Sequence, residues 1–303
     1  MVVVQRAFSA EPGYTSDFFR VRDFLRRLNA DEVTTPGFLW ARWEWAFCLP
    51  YLDRTALDRI GVWEADGAVV ALATYETGLG EAYLVCDPDH RDLLPQLVQH
   101  AVDSLTADDG GLRVIVPDGD RELQRLLVER GFRATASREP NTVIDLRDGM
   151  GYALPDGYRV TSVADDFDVV AFDRLLWRGF NHPGEPDGSA ESLEWRRHSV
   201  SSPGTDPSLN VLVAAPDGSY AAYCGMWHEA GSRYALVEPV RTDPDHRRRG
   251  CASAAILEAL SRCAARGATE AYVGSMLPVY LSLGFTPVRG GTWFELPARG
   301  ALG

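Results

Sequence analysis

The chain has 303 residues, 46% apolar and 24% charged, which is long enough and apolar enough for two ordinary globular cores. Its formal net charge is −13, and all 30 basic side chains are arginine, because the sequence contains no lysine. Such an acidic surface repels phosphate backbones, which argues against nucleic acid as a partner, and it gathers cationic small molecules such as amines. No apolar run approaches the roughly 18 residues of a membrane span, and the N-terminus lacks the regions of a signal peptide, so a cytoplasmic protein with no membrane partner is expected.

Taken in chain order, apolar positions at helical spacing predict helices over 16–28 and 37–48, and Ala65-Asp66-Gly67 predicts a hairpin turn. A helix over 92–105, a strand over 112–116, a helix over 121–130 and a strand near 142–146 complete the first half. A Gly/Pro/Asp-rich stretch at 148–157 precedes a fresh strand over 158–163 and helices over 166–180 and 192–199. Strands over 210–215 and 220–226 flank Pro216-Asp217-Gly218, a hairpin signal. A strand over 234–242 leads to a helix over 249–266 with Ile256, Leu257, Leu260 and Cys263 on one face. The chain ends on a strand over 271–274, a short helix over 277–283 and two strands over 285–288 and 292–296. Five scattered cysteines form neither a Cys-x-x-Cys pair nor a Cys/His cluster, so neither disulfides nor a metal site is expected.

An internal repeat organises these elements. Asp-Pro-Asp-His-Arg occurs at 87–91 and again at 243–247, 156 residues apart. Leu127-x-x-x-Gly131-Phe132 is matched by Tyr280-x-x-x-Gly284-Phe285, 153 residues apart. Two matches in the same order imply a duplicated unit of about 150 residues, divided here into 1–150 and 151–303. Each unit is expected to be α+β, with a central, mostly antiparallel mixed sheet flanked by helices.

The sharpest motif is Arg247-Arg248-Arg249-Gly250-Cys251-Ala252-Ser253, between a strand and a strongly periodic helix. A helix start offers unpaired N–H groups and a positive dipole end, which suit a pyrophosphate. Gly250 admits close backbone approach, the small Cys251, Ala252 and Ser253 keep it clear, and the three arginines add charge. The same residues also fit a glycine loop with solvated arginines. Cys251 has no histidine evidently placed to activate it, so it reads as a small buried residue of the turn.

From Val240 through Ala252, and on to Tyr280-Leu281-Ser282-Leu283-Gly284-Phe285, the chain resembles the GNAT acetyltransferase superfamily. The turn fits that family's Arg/Gln-x-x-Gly-x-Gly/Ala signature, and Tyr280 with Gly284-Phe285 fits its C-terminal ending. The match is specific over about 210–296 and only architectural in the first half. The asparagine that many members carry before the last helix is absent from Gly274-Ser275-Met276-Leu277-Pro278. The resemblance implies two tandem GNAT-like domains and acetyl-CoA as the acyl donor. It implies that the strand ending at Thr242 splays from its neighbour, so that the backbone of Val240, Arg241 and Thr242 meets the pantetheine arm. Pro239 suits such a strand, since proline favours a bulge or an edge. Glu238, nine residues before Arg247, stands where several relatives carry a residue that helps deprotonate the amine; a surface ion pair fits it equally. Tyr280 stands where the family's tyrosine protonates the departing thiolate.

The first copy serves as an internal control. By the same offsets Gly250, Cys251 and Ala252 correspond to Leu94, Pro95 and Gln96, Glu238 to Ala82, and Tyr280 to Leu127. Leucine closes the backbone approach and proline removes an N–H, so the first copy reads as degenerate. The expected activity is N-acetyl transfer from acetyl-CoA to a primary amine of a small molecule, by direct attack, in a monomer whose two domains pack as a pseudo-dimer. The alternatives are a mycothiol-synthase-like enzyme and a non-catalytic acyl-CoA sensor. Trp177, Phe180, His182 and Trp195 flank the loop 181–189, where an acceptor lid is expected.

Overall fold

The computed structural model describes residues 2–146 and 150–297; positions 148 and 149 of the expected linker lie outside them. Contacts divide the chain into two units, Met1–Asn141 with Val288–Gly303, and Thr142–Pro287.

The first unit contains β1 (Val3–Ala7), α1 (Ser16–Leu28), α2 (Trp40–Cys48), β2 (Gly61–Ala65), β3 (Ala68–Thr74), β4 (Glu81–Cys86), α3 (Leu94–Ser104), β5 (Leu112–Pro117), α4 (Arg121–Glu129) and most of β6 (Arg133–Asp145). Its strands run in the order β1-β2-β3-β4-β5, and only β4 and β5 pair in parallel. Thr15 caps α1 by accepting from the Phe18 N–H, and the helix buries Phe18, Val21, Phe24 and Leu25 at the spacing its sequence predicts.

The second unit contains β7 (Arg159–Ser162), α5 (Val169–Gly179), α6 (Ala190–His198), β8 (Val211–Ala214), β9 (Tyr220–His228), β10 (Tyr234–Thr242), α7 (Cys251–Ala264), β11 (Glu270–Val273) and α8 (Pro278–Ser282). Its strands run β7-β8-β9-β10-β11, with Thr142–Asp145 of β6 antiparallel to β11 and β10 parallel to it. Alternation sorts the two faces. Val211, Val213, Cys224, Met226 and Val237 meet Ala254, Ala255, Ile256 and Ala259 of α7. Leu212, Ala214, Tyr220 and Tyr223 meet Phe172, Leu175 and Leu176 of α5. Both units are therefore helix-flanked, mostly antiparallel α+β sheets.

One expectation is corrected. The two strands expected over 285–288 and 292–296 are one strand, β12 (Thr286–Leu296), whose Gly291–Leu296 segment pairs antiparallel with β5 in the first unit. A pairing between positions so far apart in sequence leaves no local signal. The edge strand β1, largely exposed, was not predicted.

Candidate active site

The turn before α7 is built from its carboxylates. Asp243 accepts from the Asp245 N–H at 2.9 Å, opening the short 3-10 turn Pro244–His246. Arg178, at the end of α5, grips Asp243 through Nε at 2.7 Å and Nη2 at 3.2 Å, and reaches Asp245 at 2.6 Å. Burial alone would raise the Asp243 carboxyl, but the bonds from Arg178 and the Asp245 N–H outweigh it and hold the pKa below its usual value. The aspartate therefore stays charged and fixes where the loop leaves the strand.

After that fixed point the backbone reverses. Gly250 has φ of +82° and caps α7, and a Cβ placed on it would meet only the Ala153 carbonyl oxygen, at 3.8 Å. The first i−4 bond of α7 runs from the Ala254 N–H to the Gly250 oxygen, 2.9 Å, which leaves the N–H groups of Cys251, Ala252 and Ser253 outside the helical ladder. Open space, free N–H groups and a helix dipole of 14 residues fit a pyrophosphate. Cys251 is buried and burial raises its thiol pKa, so it is no poised nucleophile.

The strand leading into the turn is parted from its neighbour. β11 pairs with β10 only from Tyr234 to Leu236. Against β9, Val237 pairs with Met226 but Val240 with Cys224, so β10 carries one extra residue at a bulge around Glu238-Pro239. The Asp243 N–H donates to the Ala221 oxygen at 3.0 Å. Alternation then gives the Arg241 backbone groups to β9 and turns those of Val240 and Thr242 toward the parted edge. Their carbonyls accept from arginines instead of a strand: Val240 from Arg241 Nη1 at 2.6 Å, Thr242 from Arg247 Nε at 3.4 Å.

Val240, Arg241, Thr242, Arg247, Arg248, Gly250, Cys251, Ala252, Ser253 and Tyr280 line one cleft of about 510 Å³. Tyr280 is 6% exposed, with its ring edge-on to Phe285 at 5.6 Å. Burial, reinforced by Cys224 and Glu238 and opposed by Arg241, raises its pKa well above the ordinary phenol range, so it keeps its proton. Glu238 sits on the bulge beside the cleft, its carbonyl accepting from the Trp227 indole N–H at 3.0 Å. Arg249 departs from expectation: it leaves the cleft and donates to the Tyr158 hydroxyl at 3.2 Å.

Sequence reasoning missed Arg178 and His246, the latter lining the cleft with its Nδ1 2.9 Å from the Tyr158 hydroxyl. Only the helical spacing of α5 could have pointed Arg178 at the turn. The expected lid, 181–189, is tied to its surroundings by bonds from Trp177 Nε1 to the Pro183 and Gly184 carbonyls, both 3.2 Å, and from Arg247 to Asn181 at 2.8 Å. Among the described residues no group of three or more His, Cys, Asp or Glu could hold a metal ion, and no helix is long and apolar enough to cross a membrane.

The first unit reproduces the turn but not the cradle. The Asp87 N–H donates to the Val70 oxygen and its carboxylate accepts from the Asp89 N–H, as at Asp243. There the resemblance stops. The chain enters α3 through right-handed Leu93 and Leu94, with no reversal, and Leu94 is 2% exposed. Arg91 is committed to Asp120 and Glu122, Gln96 accepts from the Trp63 indole, and Ala82 and Leu127 are core.

A mixed sheet whose parallel pair parts ahead of a glycine-led helix is a fold this chain shares with solved GNAT acetyltransferases. Residues 169–285 match the acetyltransferase (GNAT) family. Solved structures of similar fold include a GCN5-related N-acetyltransferase from Sphaerobacter thermophilus, 18% identical with TM-score 0.62 over 99% of this chain and 97% of that one. A tandem GNAT protein from the clavulanic acid biosynthesis pathway is 14% identical with TM-score 0.64, over 99% and 100% of the two chains. A GCN5-related N-acetyltransferase from Kribbella flavida is 18% identical with TM-score 0.52, over 76% and 87%. None of the curated proteins matches the sequence.

Proposed function

We propose that the second unit transfers an acetyl group from acetyl-CoA to a primary amine of a small molecule, by direct attack and without a covalent enzyme intermediate. The observation that carries this reading is one cleft with the free N–H groups of α7 and Gly250 at one end, the parted edge of β10 along its side and the buried hydroxyl-bearing Tyr280 within it. Acetyl-CoA supplies an acyl group activated as a thioester. The N–H groups at Cys251–Ser253, with Arg247 and Arg248, hold the pyrophosphate. The Val240 and Thr242 backbone groups pair with the pantetheine amides once their carbonyls are released by Arg241 and Arg247. The Val240 N–H polarises the acyl carbonyl as negative charge develops on its oxygen.

An ammonium has no lone pair, so a base must first take its proton. Glu238 fills that role, directly or through water, from the bulge that carries it to the cleft's edge. Tyr280, kept protonated by its burial, donates its proton to the departing thiolate. The first unit, lacking the reversal and the open cradle, binds no acyl-CoA. Acetyl-CoA-dependent thiol release over a panel of amines, with mass detection of the acetylated product, tests the reading.

A further inference from the structure

The Arg241 side chain takes no step in the acyl transfer itself. It faces α5, not α7: Val237 and Val240 pack on the α7 side, so the next residue turns to the opposite face. There its guanidinium carbon lies 3.6 Å from the centre of the Phe180 ring. Among the described residues one of its five N–H donors meets an acceptor, the neighbouring Val240 carbonyl. Nε is enclosed and has no acceptor, and Nη2 makes no hydrogen bond to the described residues. Among the described residues Arg241 also forms no ion pair, although the other arginine on this end of α5, Arg178, is saturated by two aspartates. Burying a guanidinium without an anion is unfavourable, and burial lowers its pKa against the pull of Glu238 and Tyr280.

The bulge sets what lies beside it. In a regular strand residues three apart face opposite sides; the extra residue between Val237 and Val240 brings positions 238 and 241 to the same side. A cation with no hydrogen-bonded anion and a carboxylate thus stand three residues apart on one side of the strand, within electrostatic reach of each other.

Resting on the N-acetyltransferase reading, we infer that Arg241 binds a carboxylate of the acceptor, so that the substrate is an amino acid whose amine is presented to Glu238. The carboxylate supplies the missing acceptor for the guanidinium, which gives up the Val240 carbonyl to the pantetheine arm in the same movement. Phe180 holds the guanidinium plane from behind and restricts the directions it can reach. A plain alkylamine would leave Arg241 without its anion and is a poor substrate.

The test compares amino acids with their decarboxylated partners: phenylalanine with phenethylamine, tyrosine with tyramine, histidine with histamine, lysine with cadaverine. Thiol release is measured for the wild type, Arg241→Gln and Arg241→Lys, with calorimetric affinity for acetyl-CoA and for each amino acid in the presence of CoA. The wild type should favour the amino acid of at least one pair by about 10–100-fold in kcat/KM, the range of a charge-assisted hydrogen-bonded contact. Arg241→Gln should erase that preference by raising the KM and Kd of the amino acids far more than the KM of the decarboxylated amines; Arg241→Lys should recover part of it. Turnover of the amines with no carboxylate preference, or a KM raised equally for amino acid and amine in Arg241→Gln, overturns the inference and leaves the N-acetyltransferase reading standing. No thiol release with any amine, and no amino-acid binding, overturns both.

Discussion

Gly250 is the residue whose replacement separates geometry from charge at the proposed phosphate site. An L-residue forced into its left-handed backbone, φ +82°, costs about 1–2 kcal/mol. The space around a new Cβ is open, with only the Ala153 carbonyl oxygen at 3.8 Å, so no packing cost adds to that strain. Gly250→Ala should therefore lower the melting temperature by about 2–8 °C, at about 2–4 °C per kcal/mol, and weaken acetyl-CoA binding only to the extent that the methyl crowds the phosphates. Aspartate tolerates the left-handed region better than alanine, yet it sets a carboxylate beside the pyrophosphate. One added charge at about 4 Å, at an effective dielectric near 20, costs about 4 kcal/mol, or about 10³ in Kd. Calorimetry with acetyl-CoA on both variants, after melting curves establish that they fold, reads the two effects apart. If Gly250→Asp folds and binds within a few-fold of wild type, the turn is not the phosphate site and the account of the cleft fails.

Acetyl-CoA should bind with a stoichiometry of one per chain, because α3 begins at buried Leu94, followed by Pro95, which has no N–H, where α7 begins at Gly250; two equivalent calorimetric sites would restore the first unit as a donor-binding domain. Tyr280→Phe should cut kcat by about 10²–10⁴-fold with acetyl-CoA affinity nearly unchanged, as expected for a proton donor acting in the transition state. Since burial raises the Tyr280 pKa, its deprotonation should cause no alkaline fall in wild-type rate up to about pH 10, the unperturbed phenol value; a fall near pH 8 that disappears in Tyr280→Phe would contradict this. Glu238→Gln should lose activity at neutral pH and regain it as pH approaches the acceptor's own pKa, where free amine is abundant. An unaltered rate–pH profile would remove Glu238 as base.

Much of this was legible in the sequence because it is local. The apolar spacing of α1 and the strand signal of β10 are settled within a dozen residues, and both elements form over the expected bounds, Ser16–Leu28 and Tyr234–Thr242. The glycine-led turn into α7 was legible for the same reason: its reversal and the start of its helix belong to consecutive residues. What escaped depends on partners distant in sequence. Gly290-Gly291 looks like a break between two strands, but a Cβ at Gly290 would stand 2.5 Å from the Glu139 carbonyl oxygen. Glycine there permits close backbone approach within a continuous strand. Arg249 looked like its two neighbours until Tyr158, ninety-one positions earlier, claimed it. Arg178 lies 65 residues from the aspartate it fixes. The unmet need of Arg241 appears only when every neighbour is in place, because an absent partner has no sequence signature.

Acetyl transfer from acetyl-CoA to an amine in this cleft is read by following thiol release and product mass together. Wild-type protein with acetyl-CoA and the amine panel should release thiol in step with an acetylated amine, with no acyl group retained on the protein. Gly250→Asp should abolish both signals. Acetyl-CoA binding with no thiol release from any amine, or an acetylated cysteine on the protein during turnover, would contradict the account.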